Sequence, residues 1–402
     1  MAGLSPMDGA EPEPAWLVSE LPRGLRWSMM LRMAWRMALH DRQQTIAAVL
    51  GVAFAYVLVG QNFGSAGHYL DQATAYIDAS EADLWIVPPG EKAFFATGSL
   101  LSTGALHQAS VTPGVAWATP VVRGYSAIKT PNGGAENVIV IGVPAPALHG
   151  GPFSIIKGDS SALLKPNAIF VDDAEREKLG GLNLGSTVEL GGHRAHVEGL
   201  TWGLLTILGS VVFAEYDFAR SILEIDSDRL SIVMVRLDGS AGLLRVRDEL
   251  RTRVPEAAIL TTDEYWMLTR NFILYDAGLI GVIFMGLTIG LTVGLAIVAL
   301  SMLSSVQQNL REFGTLKAIG ATSADLRRLL IFQALGCSIA GSFIGAVVLC
   351  QLSWASRSPR LNMIIHPLTL WGLVPGVTII AITAALVAVR RTSRVEPASV
   401  FR

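Results

Sequence analysis

The sequence predicts an α-helical membrane protein with four transmembrane helices, one followed much later by three, and a large α+β domain inserted after the first. Three observations carry this prediction. Of the 402 residues, 51% are hydrophobic and only 16% charged, a balance that arises when part of a chain has lipid as its solvent. The apolar residues gather in four blocks, each long enough to cross a hydrocarbon core of roughly 30 Å. Between the first and second blocks, residues 65–270 break into short β-rich runs punctuated by Gly, Pro, Asn and Asp, the pattern of a folded domain with its own core. A net charge of −2 gives no argument for nucleic acid as a partner.

Residues 1–22 are rich in Pro, Ala and acids and are expected to form a disordered cytosolic leader, because a signal peptide needs a basic start and then an apolar run. Residues 23–44 read as an amphipathic helix. At 100° per residue Trp27, Met30, Leu31, Ala34, Trp35 and Ala38 share one face, while Arg26, Arg32, Arg36 and His40 share the other. Such a helix suits the headgroup layer, where acidic lipid attracts the guanidinium groups; Trp27, Arg32, Trp35 and Arg36 are its candidate membrane contacts.

The first span is expected over 45–64 and the other three over 277–301, 329–352 and 368–389, with Pro375 kinking the last. Arginine and lysine set the orientation. Arg23, Arg26, Arg32, Arg36 and Arg42 precede the first span, Arg311, Lys317, Arg327 and Arg328 lie between the second and third, and Arg390, Arg391, Arg394 and Arg402 follow the fourth. The short loop between the third and fourth holds only Arg357 and Arg360. Positive charge stays inside, which places both termini in the cytoplasm and 65–270 outside.

Within 65–270, strands are expected at 84–87, 138–143, 168–171, 187–190, 231–237 and 258–262, with a helix over 243–253. The helix and its two flanking strands compose a βαβ unit. Thr262, Asp263 and Glu264 open a further capped helix that leads to the second span.

Chemistry is sparse. GGLNLGST at 180–187 has the glycine spacing of a phosphate-binding loop, but Ser186 stands where the lysine belongs, and the segment reads as a turn between strands. His193, His196 and Glu198 suggest a metal only until they are placed on a strand, where residues three apart face opposite sides. No nucleophile elbow or HExxH pair occurs, and the spans carry essentially no acid or base to mark an ion path. Cys337 and Cys350 lie in one apolar run, too far apart along a helix to bridge. The chain is therefore expected to be non-catalytic, with no metal and no cofactor of its own.

Two features point to packing and to force. Gly286, Gly290 and Gly294 share one face of the second span, and Gly341 and Gly345 one face of the third. Helices lacking side chains there approach closely, either within a protomer or between protomers. The segment 307–320 is too polar to lie in hydrocarbon. It forms an amphipathic helix of about three turns, with Phe313, Leu316 and Ile319 as an apolar stripe, Arg311, Glu312 and Lys317 exposed and Gly320 as a left-handed stop. Thr322 and Asp325 resemble a capping box for the next helix. Taken alone, these residues fit a solvated cytosolic loop equally well.

LREFGTLKAIGAT at 310–322, with one span before it and two after, resembles the connector of the MacB and FtsX superfamily of ABC transporter permeases. The layout of one span plus three is similar too. AIFVDDAEREKLGGLNLGSTVELGGHRAHVEGL at 168–200 resembles the periplasmic core domain of that family, and RVEPASVFR at 394–402 its usual tail. The domain length and ADLWIVPPG at 82–90 are most similar to DevC-like permeases linked to glycolipid export.

The resemblance implies a bacterial inner-membrane subunit that works as a homodimer with two copies of a separate ATPase, which holds the ATP and Mg. It implies that 307–320 is the coupling helix, with Arg311, Glu312, Phe313, Gly314, Leu316, Lys317 and Gly320 at the ATPase contact. For DevC-like members it also implies a periplasmic adaptor. The expected function is a permease that couples ATP hydrolysis in the partner to movement of the outer domain and export of a lipid, glycolipid or other amphiphile. An FtsX-like signalling protein that activates an outer cell-wall hydrolase is the alternative, and lipoprotein extraction, as in LolC-like proteins, a third. The size of the outer domain favours export.

Overall fold

The computed structural model describes residues 42–96, 98–130, 133–203, 209–309, 314–315, 322–356, 365 and 367–392. The chain divides into two compact units, one of 1–63, 285–352 and 365–402, which holds most of the apolar helices, and the other of 64–284 and 353–364. In chain order the elements are α1 (Arg42–Ala79), β1 (Leu84–Val87), β2 (Leu101–Ser102), α2 (Thr103–Ser110), β3 (Val115–Lys129), β4 (Ala135–Val143) and β5 (Ile155–Lys157). There follow β6 (Ala168–Asp172), β7 (Thr187–Leu190), β8 (His193–Thr201), β9 (Ser210–Glu215), α3 (Tyr216–Ile222), β10 (Arg229–Leu230) and β11 (Ile232–Leu237). Then come α4 (Leu243–Arg253), β12 (Ala258–Thr261), α5 (Thr262–Asn271), α6 (Leu279–Gln308), α7 (Ser323–Ala355) and α8 (Pro367–Thr392).

The α/β unit is organised by one long strand that changes partners. Residues Val115 to Val121 of β3 pair with β11, whereas Val122 to Lys129 pair with β4. The first half belongs to an open antiparallel sheet in the order β12, β1, β11, β3. The second half belongs to a closed ring, β3, β4, β9, β6, β8, β7 and back to β3, so the ladders form a six-stranded barrel with β5 attached along β8. Closure leaves these strands without a free edge, which would otherwise invite pairing with another chain.

Side-chain alternation sorts the core into three layers. Val138 and Val140 of β4, Ile169 and Val171 of β6 and Val212 and Ala214 of β9 share one cluster with Val188, Leu190, Ala195 and Val197 of β7 and β8. Their neighbours Ile139, Ile141, Phe170, Val211 and Phe213 point the other way, into a second cluster with Tyr76, Trp85, Phe94, Met234 and Tyr265. On the far face of the open sheet, Leu84, Ile86, Val233 and Val235 meet Ala105 and Ala109 of α2 and Val246 and Leu250 of α4. Strands covered on both faces explain why 84–87 and 232–235 read as unbroken apolar runs.

Two expectations need amendment. The helix over 243–253 and its flanking strands are present, but β11 and β12 do not pair. β1 lies between them, antiparallel to both, so the unit is a split βαβ. The cap of α5 falls one residue earlier, at Thr261. Its Oγ1 accepts from the Glu264 N–H at 3.2 Å, while its own N–H donates to Glu264 Oε2 at 2.9 Å. The helix that holds the expected span 45–64 runs on as α1 to Ala79. Beyond Gly64 it carries Ala66, Leu70 and Ala73 on a helical stripe, which packs against Ile273 and Leu279.

Among the described residues four helices are long and apolar enough to cross a membrane, in the regions of α1, α6, α7 and α8. α1, α7 and α8 outrun their expected spans at both ends and α6 at its C-terminal end, because the apolar block sets only the part that needs lipid and the helix continues while its backbone groups stay paired. Between α5 and α6 the regular helix is interrupted. Phe272–Asp276 winds as a π-helix, and Gly278 takes φ +78° before α6 begins.

Candidate functional site

The connector between α6 and α7 is the first candidate. α6 extends through Gln308, so the expected segment 307–320 starts inside the preceding helix; Asn309 follows as a turn whose N–H donates to the Ser305 carbonyl at 3.1 Å. Gly314 and Thr315 are helical. The side chain of Thr322 and the backbone N–H of Asp325 meet at 3.3 Å, and the Thr322 N–H donates to Asp325 Oδ2 at 3.1 Å. The expected capping box is thus present with Asp in the acidic place, and it starts α7 with both orphan donors satisfied. Arg311, Glu312, Phe313, Leu316, Lys317 and Gly320 lie outside the described residues, as do Trp27, Arg32, Trp35 and Arg36.

The glycine faces are the second candidate, and the structure places both of them against α1. A methyl group on Gly286 would strike Asn62; on Gly290 it would press on Val59, and on Gly294 on Ala55. On α7, a methyl at Gly341 would meet Val52 and the Val49 carbonyl, and at Gly345 it would meet Tyr56 and the Ala53 carbonyl. The first helix is thereby gripped by α6 and by α7 through backbone-close contacts, the arrangement that gives helices cohesion where lipid offers no hydrophobic drive. Tyr56 pins the group further, donating from its hydroxyl to the Leu370 carbonyl of α8 at 2.7 Å. Ser338 of α7 and Thr378 of α8 share a hydrogen bond at 2.8 Å. Cys337 is buried and Cys350 exposed.

The remaining sequence candidates have structural partners. Loop 180–186 is a turn in which the Gly185 N–H donates to the Val197 carbonyl at 2.7 Å and the Asn183 N–H to Ser186 Oγ at 2.9 Å. Those amides are spent on the fold. His196 lies 3.1 Å from Thr187 Oγ1, His193 packs edge-on against Phe218, and Glu198 pairs with Lys165 at 2.7 Å. Among the described residues no cluster of His, Cys, Asp or Glu has metal-binding geometry.

Sequence reasoning missed a third feature, a charged pair sealed in the α/β core. Arg123 on β3 and Glu91 on the loop after β1 form an ion pair with side chains only 6% and 1% exposed. Arg123 Nη1 also donates to the Ala93 carbonyl at 3.2 Å and the Ala96 carbonyl at 3.0 Å, and the guanidinium lies over the Phe94 ring at 5.1 Å. Tyr265 of α5 donates from its hydroxyl to Glu91 at 3.3 Å. Burial pushes the Tyr265 phenol far above its usual range, so it stays a donor. The one local signal was an acidic residue inside PPGEKAFF at 88–95, a loop otherwise apolar enough to be buried.

Residues 282–397 match the model of the FtsX-like permease C-terminal family. The chain is 23% identical over 374 residues to an uncharacterized ABC transporter permease of Mycobacterium bovis, covering 91% of this chain and 96% of that one. The same identity and coverage hold for an uncharacterized ABC transporter permease of Mycobacterium tuberculosis. The periplasmic region of MacB from Actinobacillus actinomycetemcomitans aligns with TM-score 0.37 and 11% identity over 47% of this chain and 92% of that one. The extracellular domain of the transporter YknZ from Gram-positive bacteria aligns with TM-score 0.34 and 15% identity over 45% and 98%. The last three apolar helices thus carry the match to the FtsX-like permease model, and the chain is similar nearly end to end to ABC transporter permeases.

Proposed function

We propose that the chain is the membrane subunit of an exporter in which two copies pair with two copies of a separate ABC ATPase. The polar connector 307–322, between two apolar helices of the permease domain, carries this reading. A charged, capped segment between two spans has to lie outside the hydrocarbon, and its basic residues favour the cytoplasmic side, where the ATPase and its ATP and Mg would be found. Arg311, Glu312, Phe313, Gly314, Leu316, Lys317 and Gly320 would make the contact. The α/β domain then faces the other side of the inner membrane and moves a lipid, glycolipid or other amphiphile, with a periplasmic adaptor as a further partner of DevC-like type.

α1 and the α5 to α6 segment are the covalent links by which work reaches the domain. The π-helix at Phe272–Asp276 and the left-handed Gly278 give the second link a place to bend. The test is purification of the full chain from its native membrane with whatever ATPase accompanies it. Glu312→Lys, which reverses a charge at the proposed contact, is expected to leave insertion intact and to lower chain-stimulated ATP hydrolysis by at least about tenfold, on the scale of an interface ion pair turned repulsive. An ATPase whose turnover is unchanged by Glu312→Lys would remove the connector from the coupling path; a chain that hydrolyses ATP alone would end the scheme. Loss of cargo export and loss of cell-wall hydrolysis in the variant separate an exporter from a signalling device.

A further inference from the structure

The loop residues 88–96 and 98–100, between β1 and β2, touch α1, α5 and β3. Phe94 stacks on Tyr76, near the end of α1, with ring centroids 4.1 Å apart. The Phe94 N–H donates to Thr269 Oγ1 of α5 at 3.2 Å, and Tyr265 of α5 donates to Glu91. On its other side the loop holds β3 through Glu91 and Arg123, and Tyr125 of β3 donates to the Phe95 carbonyl at 2.9 Å. Arg123 stands where β3 leaves β11 for β4, just after the Val121 to Val122 switch. Ser231, beside β11, marks that junction by accepting the Arg123 N–H at 3.0 Å.

We propose that this loop is the joint that passes displacement of α1 and α5 to the α/β domain, with Glu91 and Arg123 as its pin. The inference rests on the ATPase-driven reading above and adds which residues of the domain receive the motion. Both helices grip the loop, and the loop grips β3 at the point where the open sheet becomes the barrel. Displacing either helix therefore acts at the hinge line between the two sheets. A pair of charges is costly to bury and adds little stability over apolar packing. What it supplies is a single geometry, since neither charge can leave its partner without a large penalty. The joint also has room to move. A cavity of about 190 Å³ lies beside it, lined by Phe94, Phe95, Leu100, Arg123, Tyr125 and Ile139. Gly90, at φ +78° with open space around it, provides a bend at the loop's start.

The test uses the full chain in lipid nanodiscs with its co-purified ATPase, with Cys337 and Cys350 replaced by Ser. Spin labels go on exposed Met267 of α5 and Lys157 of β5, and their separation is measured with and without ATP. The wild-type chain is expected to show a nucleotide-dependent shift. Glu91→Gln keeps the volume and an acceptor but removes the charge, and is expected to shrink that shift at least about fivefold, the lower end of typical coupling, while ATP hydrolysis stays within about twofold. Val246→Ala, which thins the separate core under α4, is the stability control and should keep the full shift. An unchanged shift in Glu91→Gln overturns the joint, and so does an equal loss in Val246→Ala. Absence of any shift in the wild type counts instead against the ATPase-driven reading.

Discussion

The two units cohere by opposite means. In the helical unit, closeness is achieved by omission: five glycines on α6 and α7 bring backbone against α1, and the polar contacts are single hydrogen bonds such as Tyr56 to Leu370. In the α/β unit, closeness is achieved by filling, with Trp85, Phe94, Phe170, Phe213, Tyr76 and Tyr265 all fully buried around one ion pair. The difference follows from the solvent. Water drives large apolar side chains together, whereas lipid is as apolar as leucine and leaves shape as the main source of attraction. One consequence concerns assembly. The glycine faces that the sequence offers for either intra- or inter-protomer packing are occupied by α1 of the same chain.

The comparison is broken most forcefully at the ion pair. Glu91→Ala leaves the Arg123 charge buried without a counter-charge, facing only carbonyls and the Phe94 ring among the described residues, and breaking such a pair costs about 3–5 kcal/mol, enough to lower the urea midpoint of the α/β unit substantially in the full chain. Glu91→Leu combined with Arg123→Met should recover most of that loss, because the penalty comes from the stranded charge. A double variant as unstable as Glu91→Ala would mean that the cost lies in the loop's packing.

A glycine on α7 sharpens the other half. Gly345→Ala places a methyl 2.9 Å from Tyr56 and 3.1 Å from the Ala53 carbonyl. Overpacking of this kind costs about 1–3 kcal/mol, to be read as a lower melting temperature in detergent. A methyl added to Gly372 of α8 would meet nothing within 4 Å, so Gly372→Ala should be neutral or slightly stabilising. Equal losses at both positions would show that backbone flexibility of glycine, and not close approach, is what the bundle requires.

Legibility in the sequence followed the range of the interaction. β1 and β7 and the helix α4 were readable to their ends, since β-branched runs and helical periodicity between Gly, Pro and Asp are local signals. β3 was not. Pro120, Gly124 and Ser126 interrupt its pattern, and its two halves bury different faces because it serves two sheets. Barrel closure rests on β7 meeting β3, a pairing that joins Ile128 to Leu190 and has no trace in either strand alone. The continuation of α1 beyond Gly64 was hidden because its apolar stripe narrows to Ala66, Leu70, Ala73 and Ile77 among polar residues. The capping box of α7 was legible because Thr322 and Asp325 are neighbours, whereas Glu91 and Arg123 are separated by all of β2, α2 and half of β3.

The smallest effect is expected where the bundle uses a polar contact. Tyr56 is buried against α7 and its hydroxyl donates to the Leu370 carbonyl of α8. Tyr56→Phe keeps the ring that Gly345 was shaped to receive and deletes only the donor. Hydrogen bonds between membrane helices average about 0.6 kcal/mol, so the shift in melting temperature should be well below that of Gly345→Ala. A Tyr56→Phe loss equal to or larger than the Gly345→Ala loss would reverse the ranking, making α8's carbonyl, and not the shape of the α1 to α7 contact, the principal tie in the helical unit.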